Sequence, residues 1–311
     1  MSPATALVFP GMGPSNFAEV GKFMVLDPYV RRRLAEADEA LGYRLLDRFY
    51  ASADDYSEYT QLAFLVNSTA LADRAVETLG MRPEICVGPS FGQKAAAVYA
   101  ETMTFSDAIR MTAETARCEA EFFAAEYTDT VTQSVARTPR EPLEELVARL
   151  REHDDTCEIS GYMDSNFFLV TLRETTLDEF TAAVRALGGH PMYTMRPPVH
   201  ARAFAGLRAK AEREVFARYR VGAPALAVVA DQDGRVVTTA DDMRTMLLDT
   251  FDRPVDWPAA VEGLSALGVE RVVVTGPDNL FRRLPCTTSR FEVTAFEPKG
   301  TVRAMTAPVS H

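Results

Sequence analysis

The sequence predicts an α/β protein in which a large parallel-sheet subdomain, with helices on both faces, is interrupted by a small ferredoxin-like (βαββαβ) subdomain. Three observations carry this expectation. The apolar run Ile85-Cys86-Val87 leads into Gly88-Pro89-Ser90-Phe91-Gly92-Gln93 and then into a helical stretch from Lys94 to Tyr99. Short apolar strands alternate with helices of 3.6-residue periodicity on both sides of that segment. Between residues 129 and 196 the texture changes to strand, helix, strand, strand, helix, strand. The expected division is 1–128 with 197–311 for the large subdomain and 129–196 for the small one.

Taken in order, residues 4–10 (ATALVFP) read as a short buried strand that runs into the turn Gly11-Met12-Gly13-Pro14. Residues 28–41 place Val30, Leu34, Ala37 and Ala40 on one helical face, with Arg31 to Arg33 and the acids opposite. Long apolar helices are expected over 61–79 and 105–125, the second capped at or just before Ser106. The small subdomain is expected as strand 131–136, helix 142–152, strands 157–163 and 167–172, helix 176–187 and strand 190–195. After Pro197-Pro198 the large-domain texture returns, with helix 203–219, strand 225–230, helices 241–250 and 259–267, and strand 271–275. Residues 308–311 read as a frayed end.

Composition narrows the function classes. A chain of 311 residues with 47% hydrophobic and 25% charged residues can bury a large core. No apolar run reaches the ~20 residues of a membrane helix, and Met1 to Thr5 lack a basic leader. Cys86, Cys118, Cys157 and Cys286 are scattered, so they read as thiols in a reducing cytoplasm rather than a disulfide frame or metal site. A net charge of −11 disfavours nucleic acid as a partner but not an acidic protein, since docking depends on local patches.

Gly-x-Ser-x-Gly between a strand and a helix is the pattern of a nucleophile elbow, found in α/β-hydrolase-like sheets. The turn is tight enough that its flanking positions tolerate almost no side chain, and the serine hydroxyl stands above the sheet. The following helix aims its N-terminus at the site, where it can stabilise an oxyanion. Ser90 is therefore the candidate nucleophile. It needs a base, and the chain has four histidines. His311 lies on the tail, His190 begins a strand and His153 sits in an acidic helix end. His200 follows the rigid Pro197-Pro198 entry, which suits either a positioned base or a structural loop histidine. The turn at Gly11 to Gly13 can offer an N–H to an oxyanion, although a phosphate loop or a plain turn would read alike. In Arg253-Pro254-Val255-Asp256-Trp257, the lone tryptophan reads as a loop anchor.

These motifs occur in a recognisable order. Phe9-Pro10-Gly11-Met12-Gly13, the serine elbow, the inserted subdomain, His200 and Pro254-Val255-Asp256-Trp257 together resemble the malonyl-CoA:acyl carrier protein transacylase family, which includes polyketide synthase acyltransferase domains. The resemblance implies Ser90 as acyl acceptor and His200 as general base. It implies the N–H groups of Met12 and Phe91 as oxyanion donors, and the Thr250 carbonyl as the group that orients the histidine. It implies ping-pong transfer with no resident cofactor or metal, the acyl group arriving on the phosphopantetheine of a carrier protein or on CoA. Implied partners are acidic acyl carrier proteins and a polyketide synthase loading module, with the enzyme monomeric and neither nucleic acid nor membrane bound. A basic docking rim is then expected among Arg151, Arg202, Arg208, Arg282, Arg283, Lys299 and Arg303.

The departures from the family pattern shape the expected substrate. Pro89 stands where the family usually has His, Gln93 where it has Glu, and Met12 where it has Gln. Family members using malonyl groups carry an arginine in the helix after the elbow; ungapped alignment places Thr115 there. Arg117 is two residues on, roughly 200° around a helix. An acyl pocket formed by Pro89, Phe91, Thr115, Val199 and, if the register slips, Arg117 is expected to take a neutral acyl group, aminoacyl or dipeptidyl. That would resemble discrete acyltransferases of macrolactam antibiotic pathways. The alternatives are an acyl-carrier hydrolase on the same fold and a malonyl transacylase.

Overall fold

The computed structural model describes residues 4–13, 15–52 and 54–306. Pro14 of the first turn and the expected frayed end, including His311, lie outside the described residues.

Eleven strands are described: β1 (Ala4–Val8), β2 (Ile85–Val87), β3 (Thr130–Ala136), β4 (Glu158–Asp164), β5 (Phe167–Arg173), β6 (His190–Met195), β7 (Ala227–Val229), β8 (Val236–Val237), β9 (Val255–Asp256), β10 (Val269–Thr275) and β11 (Glu292–Phe296). They form a six-stranded sheet, β11-β10-β1-β2-β7-β8, and a five-stranded sheet, β6-β3-β5-β4-β9. The large sheet is parallel except at its β7–β8 edge. Both of its faces are buried, as a parallel sheet requires. On β1 the alternation is direct: Leu7 joins one core with Phe23 and Leu65, while Ala6 and Val8 join another with Trp257 and Leu264.

In the small sheet, β6, β3, β5 and β4 pair antiparallel in the split-βαβ order. Leu143 and Leu146 of helix Arg140–Leu150, and Phe180 and Val184 of helix Glu174–Ala186, cover one face through Phe168 and Val170. Met163 from the other side enters the core beneath the large sheet. The fifth strand, β9, comes from beyond residue 196 and pairs parallel with β4, so the two sheets are stitched together at Val255 and Asp256.

Helix Pro28–Leu41 has the expected span; it is capped by Asp27 and ends at left-handed Gly42. Helix Phe105–Ala125 is capped by Thr104, whose hydroxyl accepts from the Asp107 N–H. The single helix expected over 203–219 is instead helix Ala205–Glu214 between two short 3₁₀ turns. Helices Phe17–Leu26, Leu45–Ala51 and Pro298–Thr306 are further elements that periodicity did not reveal.

Candidate active site

β2 ends at Val87, and the chain turns sharply into helix Gly92–Tyr99. A Cβ on Gly92 would stand 2.0 Å from the Phe9 carbonyl oxygen, and one on Gly88 would stand 2.2 Å from the Gly92 carbonyl oxygen. Between them Ser90 sits at φ +54°, in the left-handed region a serine rarely occupies. This is the strained turn the spacing predicts.

His200 lies across from it, its Nε2 2.7 Å from the Ser90 Oγ. It too adopts a left-handed conformation, φ +61°. The small sheet holds it there from one side: the Val199 N–H donates to Thr132 Oγ1 at 3.1 Å, and Thr171 Oγ1 donates to the Val199 carbonyl at 3.1 Å. The Thr250 carbonyl faces the other ring nitrogen, Nδ1, just outside hydrogen-bond geometry. Burial lowers the His200 pKa to about 4, with Thr250 opposing weakly. An imidazole kept neutral in this way, in contact with a hydroxyl, can accept its proton.

A cavity of about 500 Å³ opens over this pair. Met12, Phe91, Thr115, Val199 and Thr250 line it together with Ser90 and His200. Among the described residues the N–H groups of Met12 and Phe91 have no backbone acceptor, so both remain available to an oxyanion. Two expected pocket residues do not line it. Pro89 is buried beneath the turn, where its carbonyl accepts the Gly92 N–H. Arg117 points outward and pairs with Glu58 through bonds of 2.6 and 2.8 Å, because two residues along a helix reverse the face.

The expected basic rim is uneven. Arg208 is tied to Asp249 and Asp252 at 2.6 and 2.7 Å and is three-quarters buried, which removes it from a docking surface. Arg282 bridges to Glu297 and Asn279, and Lys299 pairs loosely with Glu19. Arg151 and Arg202 converge on Glu158, with Arg202 79% exposed just beyond His200. Arg303 is exposed on the C-terminal helix, and Arg283 borders a second, smaller cavity.

Polar residues of the cavity that the sequence does not single out include Gln61, Lys94 and Glu119. Read along their helices they look like solvated positions, and only tertiary packing turns them inward. Asp231, which does not line the cavity, sits behind the elbow. Its carboxylate accepts the Ser90 N–H at 2.6 Å and the Gln93 side-chain amide at 2.6 Å. Burial pushes its pKa up to about 7, against the pull of those two donors. Since the folded state holds this proton more tightly than the unfolded chain, the group's cost to stability grows as pH rises from 3.8 to 7. Asp231→Asn keeps an acceptor for Ser90 and offers N–H to Gln93 Oε1, which lacks a partner. Its melting temperature relative to wild type is therefore expected to rise across that pH range, as thermal unfolding at several pH values would show. A constant difference would remove Asp231 as the titrating group.

Comparison with known proteins finds similarity to acyl-transfer enzymes. Residues 134–195 match the VinK acyltransferase small-domain family. Malonyl CoA-acyl carrier protein transacylase of Escherichia coli K12 is 25% identical over 291 residues, covering 90% of this chain and 91% of that one. The polyketide biosynthesis protein ThaF of Burkholderia thailandensis is 27% identical over 87% of this chain, which spans 23% of ThaF. A malonyl-transacylase, PlMCAT, solved with its type II polyketide synthase acyl-carrier protein AntF, superposes with a TM-score of 0.85 at 21% identity, covering 97% of this chain and 98% of that one. The malonyl-CoA:acyl carrier protein transacylase of Xanthomonas oryzae gives 0.84 at 21% identity, with 98% of each chain covered.

Proposed function

We propose that this chain, similar over most of its length to malonyl-CoA:acyl carrier protein transacylases and over residues 134–195 to the VinK acyltransferase small domain, moves a neutral acyl group, aminoacyl or dipeptidyl, between acyl carrier proteins. The observation that carries this reading is the 2.7 Å contact between Ser90 Oγ and His200 Nε2 inside a largely apolar cavity that Arg117 does not enter. Ser90 Oγ attacks the thioester carbonyl while His200 Nε2 takes its proton. The N–H groups of Met12 and Phe91 hold the negative oxygen of the tetrahedral intermediate. The intermediate collapses, the C–S bond breaks, and His200 returns the proton to the departing thiolate. His200 then deprotonates the acceptor pantetheine thiol, which attacks the ester and restores the Ser90 hydroxyl. The acyl group needs no metal or resident cofactor on this route, and the acceptor's acidic surface meets the exposed arginines, Arg202 foremost.

One observation favours a second reading, malonyl transfer: Lys94 supplies a cation to the cavity that could pair with a free carboxylate. Two variants separate the readings. Arg117→Ala is expected to leave acylation by an aminoacyl thioester within about twofold of wild type, because Arg117 faces Glu58. Selective loss of malonyl transfer in that variant would overturn the neutral-acyl reading, and loss of malonyl transfer in Lys94→Met would favour the second.

A further inference from the structure

The inner part of the cavity is not uniformly apolar. Thr115 and Glu119 stand one helical turn apart on helix Phe105–Ala125 and both line the cavity. The Thr115 Oγ1 is buried and has no hydrogen-bond partner. Glu119 presents its carboxyl group to the same space; burial raises its pKa, against the opposing pull of the Lys94 charge and of the Gln61 amide beside it. Lys94, from the helix after the elbow, is drawn onto the Phe91 ring, its Nζ 4.2 Å from the ring centroid. No ion pair within 4.0 Å joins Lys94 to Glu119 among the described residues.

We infer that Glu119 and Thr115 form a subsite for the free ammonium of an aminoacyl or peptidyl chain carried on Ser90. A carboxylate turned into an enclosed space without a contact counter-ion is costly unless the ligand brings the opposite charge. The unpartnered hydroxyl one turn away supplies a second acceptor, and together they match a primary ammonium with its three donors. The subsite occupies the wall where the alignment puts Thr115 in place of a basic residue, so the pocket's charge preference is reversed. Lys94, held on Phe91, then faces the acyl chain rather than its amine, where it can donate to an amide oxygen.

This inference rests on the transfer reading, and the experiment separates the two. Two pantetheine amides that cannot be transferred, one alanyl and one propionyl, differ only in the amine. Their binding to the full chain is measured by calorimetry for wild type, Glu119→Gln, Glu119→Asp and Lys94→Met. Wild type is expected to bind the alanyl compound about ten- to hundredfold more tightly, the range of one charge-assisted hydrogen bond. Glu119→Gln should erase that preference and keep the propionyl affinity, while Glu119→Asp keeps part of it. Equal affinities in wild type, no alanyl binding, an equal loss for both compounds in Glu119→Gln, or a preference that disappears only in Lys94→Met would each overturn the inference. A retained preference without acylation of Ser90 by an alanyl thioester would sink the transfer reading and leave the subsite standing.

Discussion

Ser90→Ala is expected to abolish acyl-enzyme formation and to lower transfer by at least about 10³-fold, the scale seen when a nucleophile is removed. No other hydroxyl takes its place at 2.7 Å from His200 Nε2, and the elbow presents one side chain only. His200→Ala is expected to cost roughly 10²–10⁴-fold, the contribution of a positioned general base. Rapid-quench measurement of acylation checks both. The pH profile carries a second signature. With the imidazole pKa held near 4 by burial, the acid limb of acylation should fall close to pH 4 rather than at 6.5, the ordinary histidine value. The same shift links to stability. The unfolded chain takes up the proton first, so the His200 contribution is intact above 6.5 and is lost as pH falls toward 4. An acid limb at 6.5 would mean that the ring is solvated in the working enzyme.

The largest effect on stability is expected at Trp257. Its side chain is fully buried, packs edge-on against Phe281 at 4.9 Å, and donates from Nε1 to Thr287 Oγ1 at 2.8 Å. It opens helix Trp257–Ala266 directly after β9, the strand that joins the two sheets, and it shares a core with Met163 of the small sheet. Trp257→Ala removes that packing and leaves the buried Thr287 hydroxyl without its donor. The expected loss is about 3–5 kcal/mol, or roughly 5–8 °C in melting temperature for a chain of this size. Phe281 also lines the cavity, so acylation should weaken as well. A melting temperature within about 2 °C of wild type would show that the sheets are held together elsewhere.

Much of this arrangement was legible before any coordinates. The helical spacing of Val30, Leu34, Ala37 and Ala40 marks helix Pro28–Leu41. Gly88 and Gly92 mark the elbow because a Cβ at either would collide with backbone. The small sheet is legible from the order of strand, helix, strand, strand, helix, strand between residues 129 and 196. What was missed has physical reasons. Helix Phe17–Leu26 carries Gly21 at its centre, which reads as a break; there the missing side chain makes room for the Phe17 ring, 2.6 Å from where a Cβ would lie. β9 has two residues and exists only because β4 lies beside it. β11 is a half-buried edge strand that opens with a glutamate. In the site, serine and histidine stand out because few residue types do their chemistry. Asp231, Lys94 and Glu119 do not, because a charged residue on a helix or loop is ordinarily solvated, and only the packing of distant segments encloses it.

Intact-protein mass spectrometry shows whether Ser90 carries an aminoacyl or dipeptidyl group. The full chain and its Ser90→Ala variant would be mixed with acyl carrier proteins bearing malonyl, acetyl, aminoacyl and dipeptidyl groups. A mass gain from the aminoacyl or dipeptidyl donor is expected on wild type and none on Ser90→Ala. A gain from malonyl alone would contradict the neutral-acyl reading and assign the Lys94 side of the cavity to a substrate carboxylate.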